Sequence, residues 1–231
     1  MRPVKAVFVK QVIDLVRNWA VLIQVVVFPL VALVFTELVA KADEGIPDTM
    51  FVTMFAAVFA GMSMTITASS ILAEDRETGA LRFLVMAGVK PHQYLAGVGG
   101  VLLVISAAVA VVFALLGGFS GTTFVVFVAV MWLGSAASVI LGATLGLLAK
   151  NQQAALGLAM PLAMVVGFVP MLTLFNDTIA KAFAWLYTQQ VNVVANDLTG
   201  SLARPVLVIG ANMVVLVVLF GLVYRRKGLR S

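Results

Sequence analysis

The chain has 231 residues, of which 62% are hydrophobic and 11% charged, and its net charge is +5. A soluble domain carries about 45–50% apolar and about 25% charged residues, so this composition excludes a compact water-facing enzyme and specifies a membrane protein. With no cysteine and a single histidine, His92, disulfides, Cys nucleophiles and multi-His metal sites are excluded, and no metal site is expected.

No Gly-Lys dipeptide occurs in the chain. A P-loop is therefore impossible, and the chain cannot bind ATP that way. The basic excess reads as positive membrane loops, not as a nucleic-acid surface.

Residues 1–18 are amphipathic at helical spacing. Val4, Phe8, Val12, Leu15 and Trp19 form one stripe, and Lys10, Asp14, Arg17 and Asn18 another. This pattern predicts a helix on the cytoplasmic membrane surface, with Trp19 at the headgroup level. The alternative is a plain N-terminal extension of the first span.

A bilayer core needs about 20 apolar residues per helix. Six stretches qualify: 19–39, 50–73, 95–117, 124–148, 154–175 and 205–224. Barrel strands would alternate polar and apolar, and these do not. The predicted fold is all-α and polytopic: one transmembrane domain of six helices preceded by an interfacial helix. Of all Asp, Glu, Lys and Arg residues, only Glu37 falls inside a span. Ala40-Lys41-Ala42 has the small-x-small form of a cleavage site, but the apolar run before it exceeds the usual ~7–15 residues, so cleavage is not expected.

Only Lys41, Lys181 and Arg204 lie on one side of these spans; the other twelve basic residues lie on the opposite side. The positive-inside rule then places both termini in the cytoplasm, as an even number of spans requires.

Pro29, Pro161 and Pro170 fall inside spans and predict kinks. Pro205 opens the last span, where a missing N–H matters little. Small residues recur four apart at Ser138, Gly142 and Gly146, and at Ala155, Ala159, Ala163 and Gly167. Such rows predict close helix packing without naming the partner. Segment 176–204 is long and partly apolar. It predicts one or two short helices dipping into the outer leaflet, with Trp185 and Tyr187 as interface anchors.

Gradient-driven carriers bury ionisable groups within their spans. Here the span cores lack them. Gln24 and Asn212 are the clearest polar intramembrane side chains, and two readings stand: an interhelical hydrogen bond, or a polar spot on a substrate path near the Pro29 kink. The lack of a His or Asp in the cores argues against intramembrane catalysis, so the chain does not read as an enzyme.

The informative segment is the cytoplasmic loop 74–94. It begins with four consecutive charges, Glu74-Asp75-Arg76-Glu77. An apolar stripe of Leu81, Leu84 and Val85 follows, with Gly88 as a helix stop and Pro91 as the start of a second short helix. Acidic groups at a helix end oppose the macrodipole and sit better at the start of the next helix or against a basic partner. Such an element reads as a docking site, with His92 on its contact surface; the plainer alternative is a solvated loop with one interfacial helix.

Glu74-Asp75-Arg76-Glu77-Thr78-Gly79-Ala80-Leu81-x-x-Leu84, followed by Pro91, resembles the loop after the second span of type-2 ATP-binding-cassette exporter permeases. Lys150-Asn151-Gln152-Gln153-Ala154-Ala155-Leu156, with Pro161, Gly167 and Pro170, is similar to the family's short loop and fifth span. The resemblance covers essentially the whole chain. Ala80 and Arg82 depart from it, where the family usually has a threonine and an acidic residue.

The resemblance implies a half-transporter that pairs with itself or a sister permease in the cytoplasmic membrane. Two separate ATPase subunits, holding the ATP and Mg, would dock on the loop; this chain would need no cofactor of its own. Glu74, Arg76, Glu77, Gly79, Leu81, Leu84, Lys90, Pro91 and His92 would carry ATPase coupling. Lys10, Asp14 and Arg17 would form an N-terminal contact to the ATPase and membrane. The few polar groups on the path predict an amphipathic or hydrophobic cargo: a drug, lipid or peptide. The alternative function is a membrane scaffold or immunity protein that binds a peptide or lipid without pumping.

Overall fold

The computed structural model describes residues 2–42, 45–80, 83, 86 and 88–227, and for 2–6, 16, 17, 20, 91, 92 and 227 the backbone alone. Helix α1 (Arg2–Arg17) precedes the first span, α2 (Trp19–Phe35), which ends in a π-helical turn, Thr36–Ala40. The second span comprises α3 (Met50–Val58), a π-helical turn (Phe59–Ser63) and α4 (Met64–Glu77). Then come α5 (Pro91–Leu116), α6 (Gly121–Leu148) and α7 (Gln152–Thr173). Two short helices, α8 (Asp177–Ala182) and α9 (Tyr187–Asn196), lead to the last span, α10 (Ala203–Lys227).

Among the described residues six helices are long and apolar enough to cross a membrane: Val21–Ala40, Met50–Glu77, Gln93–Leu116, Gly121–Leu148, Gln152–Thr173 and Ala203–Arg226. They match the predicted spans to within a few residues. The reason is local: apolar runs are punctuated by Asn18, the Gly117-Gly118 pair and Asn151. The Asn151 side chain accepts the Ala154 N–H and so caps α7.

The second span is the hub. Its most apolar window is 78% buried, against 22% for the first span and 11% for the last. It packs on α6 and α7, and the rows of small residues are what admit it. A Cβ on Gly146 would stand 2.5 Å from the Ser69 carbonyl oxygen, and one on Gly142 would overlap that of Thr65. On the other flank Ala155, Ala159 and Ala163 are fully buried, and a Cβ on Gly167 would meet Met62 Cβ at 2.7 Å. Both rows therefore serve the same partner.

Segment 176–204 forms two short helices, but α9 is not a surface element. Residues 187–192 are all buried. Tyr187 is 2% exposed and its hydroxyl lies 2.7 Å from Ser138 Oγ, which corrects its expected place as an interface anchor. Its neighbours carry polar groups that find partners on α7. Asn192 Nδ2 donates to the Pro170 carbonyl (3.1 Å), and Thr173 Oγ1 donates to Gln189 Oε1 (2.7 Å). Trp185 remains 62% exposed.

A second correction concerns Pro91. It opens no separate short helix; the helix it begins runs unbroken to Leu116 and is the third span. Gln93 Oε1 accepts the Lys90 N–H at 3.0 Å and seals that start. Nothing between 91 and 95 breaks a helix, so the span simply extends to its proline.

Helix α1 packs on α5. Leu15 is buried, and Phe8, Val12 and Leu15 face Val101 and Ile105 across an apolar groove. The stripe read from the sequence thus has a partner within the chain, while Trp19 is 76% exposed.

Candidate functional site

The end of α4 and the elements around it form a charged hub on the face that carries the loop. Asp75 is 5% exposed although it lies at the helix end. Lys10 Nζ donates to its Oδ1 at 2.7 Å, and the Tyr94 hydroxyl donates to its Oδ2 at 2.6 Å. One carboxylate thereby joins α1, α4 and α5. Partial burial pulls the Lys10 pKa down, but the hydrogen bonds and negative charges of Asp75 and Asp14 outweigh it and hold the ammonium above its ordinary value. Asp14 lies 3.1 Å from Lys10 Nζ.

The next two residues turn the other way. Arg76 Nη1 donates to the carbonyls of Leu147 (2.6 Å) and Ala149 (2.9 Å), where α6 ends. Glu77 Oε2 accepts the Gln152 N–H (3.0 Å), where α7 begins. A cation thus meets the negative end of one helix dipole and an anion the positive end of the next. The electrostatic cost of acids at the end of α4 is met inside the chain by Lys10, Tyr94 and the start of α7. Arg76 and Glu77 hold the connection between the fourth and fifth spans from both sides.

Glu74 and Lys90 are exposed. Gly79 has φ +74° and ends α4, with its N–H on the Arg76 carbonyl (3.2 Å). Any other residue would be strained in that turn. Beyond it Phe83 and Met86 are helical, and 67% and 71% exposed. Leu81, Arg82 and Leu84 lie outside the described residues, as do the side chains of Arg17, Pro91 and His92.

The residues assigned to a substrate path are not brought together. Gln24 Oε1 accepts the hydroxyls of Ser63 (2.6 Å) and Thr67 (3.4 Å), tying α2 to the π turn and α4. Asn212 Nδ2 donates to the carbonyls of Trp185 (2.9 Å) and Val208 (2.9 Å), tying α10 to the segment before α9. Gln24 thus makes the interhelical bond that was one of its two readings, whereas Asn212 bonds to the turn before α9 and to its own helix. Pro29 is buried inside α2.

Sequence reasoning missed Asp75 and Tyr94 as site residues. The signal was there for Asp75: Ala68, Leu72 and Asp75 share one face of α4 at helical spacing, and the first two are fully buried. Carrying that face one turn further predicts a buried carboxylate in need of partners.

Comparison with curated proteins finds no match to this chain. The sequence model of the ABC-2 family transporter proteins matches residues 19–225, a stretch that takes in the six spans but for Arg226, and Asp75, Arg76, Glu77 and Tyr94 of the hub but not Lys10. The chain belongs to the ABC-2 family, as a transmembrane transporter subunit without its own ATPase.

Proposed function

We propose that this chain is the permease of an ATP-driven exporter, moving an amphipathic or hydrophobic molecule across the cytoplasmic membrane. A separate ATPase subunit, in two copies, docks on the loop after the second span. The permease pairs with a second copy or a sister chain. Membership of the ABC-2 family supports an ATPase partner in general.

The observation that carries the coupling role is the hub. The loop leaves the one span that is mostly buried among the described residues, and that span's last turn grips four other helices through Asp75, Arg76 and Glu77. A push on the loop is delivered to α1, to the α6–α7 connection and to α5 at once. The π turn at Phe59–Ser63 gives the span a compliant point, since one surplus residue there breaks the regular hydrogen-bond ladder. Gln24, bonded to Ser63 and Thr67, would carry α2 with it. Exposed Phe83 and Met86 give the loop an apolar contact surface of the kind a partner protein covers.

The test is purification of the tagged chain from its native membranes in mild detergent. An ATP-hydrolysing subunit that co-purifies near 1:1, and is lost on Phe83→Asp or Met86→Asp, supports the reading. Recovery of the chain alone, with its neighbours intact, moves the reading to a scaffold or immunity protein. Cargo is tested separately, by asking whether lipophiles stimulate ATPase turnover in the reconstituted complex; stimulation by sugars and not by lipophiles overturns the cargo class.

A further inference from the structure

The face opposite the loop holds three basic residues: Lys41, Lys181 and Arg204. Lys41 is paired with Glu37 at 2.6 Å. Lys181 and Arg204 have no ion pair among the described residues, and both line the same cavity, of about 460 Å³, between α8, α9 and the first turn of α10. We propose that this cavity is a binding site for the phosphodiester headgroup of a membrane phospholipid in the leaflet at that face.

The chemistry of the walls argues for an anion. Arg204 lies in the first turn of α10, where free N–H groups and the helix dipole favour negative charge. Gln189 is 5% exposed and lines the cavity. Its Oε1 is taken by Thr173, while its amide nitrogen has no hydrogen-bond partner among the described residues. That nitrogen is open to the cavity and free to donate to a phosphate oxygen there. Asp177 also lines the cavity, so its formal charge is one positive, which suits a singly charged phosphodiester better than a doubly charged phosphate monoester. Guanidinium and ammonium groups bind phosphate oxygens by charge-assisted hydrogen bonds.

The surroundings argue for a lipid as the source. The wall runs from Arg204 and Pro205 directly onto the apolar outer surface of α10, where Val206 and Leu207 are 46% and 72% exposed. A headgroup in the cavity leaves its acyl chains against this surface. Charged end and apolar wall lie in the order in which a phospholipid presents them at a membrane interface.

The experiment is native mass spectrometry of the full chain in an uncharged detergent, with phosphatidylglycerol and with diacylglycerol of the same acyl chains. Both basic side chains are exposed and unpaired, so K181Q/R204Q leaves the fold intact, which circular dichroism confirms. The wild type is expected to retain phosphatidylglycerol at least about tenfold better than diacylglycerol, a preference lost in the double variant. Gln189→Glu, which adds a carboxylate while keeping an acceptor for Thr173, lowers retention as well. Equal phosphatidylglycerol retention by wild type and double variant overturns the site. Equal retention of diacylglycerol overturns the phosphate chemistry. Displacement of the lipid by equimolar glycerophosphoglycerol, the soluble phosphodiester of the same headgroup, overturns the lipid as its source.

Discussion

Thr188 Oγ1 donates to the Val166 carbonyl at 2.6 Å, and Val166 is the residue whose helical partner would be the N–H that Pro170 lacks. The proline frees a carbonyl in the fifth span and α9 supplies the missing donor. This bond is one reason why the segment between the fifth and sixth spans dives into the bundle. Thr188→Val keeps the shape and removes the donor, so thermal stability in detergent is expected to fall by about 1–3 kcal/mol. In a Pro170→Ala background the carbonyl regains its helical donor, and the same substitution should cost much less. Equal costs in the two backgrounds would sever the link between the two residues.

Close approach of the second and fourth spans rests on missing side chains. Gly142→Ala places a Cβ onto the Thr65 carbonyl, and backbone has no rotamer by which to yield. The expected cost is about 1–3 kcal/mol or more, with loss of folded yield. Gly157→Ala is the control. A Cβ there meets nothing within 4 Å, and helix propensity alone predicts a gain of about 0.5–1 kcal/mol in detergent. Similar losses from both variants would contradict the packing assigned to the glycine row.

Arg76→Ala leaves the Leu147 and Ala149 carbonyls without their charged donor, at a cost of about 1.5–3 kcal/mol. Glu77→Gln removes only the charge facing the Gln152 N–H and should cost about 0.3–1 kcal/mol. Both variants are expected to bind the ATPase subunit normally yet respond less to it, because the docking surface remains while the grip on the α6–α7 connection weakens. The measurement is ATPase stimulation per bound complex. Stimulation unchanged from wild type in Arg76→Ala would take this residue out of the coupling path.

Lys10 sets a pH dependence. The Lys10 pKa is higher folded than unfolded, so the folded state holds its proton more tightly. The resulting stabilisation is fully present below about pH 10.4 and is lost as pH rises through the folded value. The difference in melting temperature between wild type and Lys10→Met is therefore expected to be constant from about pH 6 to pH 9 and to shrink only in strong alkali. A difference that changes across neutral pH would assign the contribution to another group.

Much of this was legible in the sequence. Apolar runs and their breaks fixed six spans, because helix length in a bilayer is set by thickness and composition alone. The charged loop stood out because a connector has no use for four consecutive charges. What could not be read was direction. Asp75, Arg76 and Glu77 are adjacent in sequence, yet one turns inward to Lys10 and Tyr94 while the others reach the ends of two different helices. Those partners lie far along the chain, and no local pattern announces them. Tyr187 misled for a related reason: an aromatic with a polar tip suits an interface, but equally a buried site that offers a hydroxyl, which Ser138 does.

The most direct test of the coupling claim is cross-linking of the loop to the ATPase. The chain contains no cysteine, so one introduced thiol is the only one it carries. Met86→Cys, at a position 71% exposed on the loop, is expected to cross-link to the ATPase subunit through a short thiol-to-amine reagent. Leu207→Cys, equally exposed on the opposite face, should not. A changed cross-link yield with ATP would show that the loop moves with the nucleotide cycle. No cross-link from Met86→Cys in a complex that still hydrolyses ATP and transports would contradict the account.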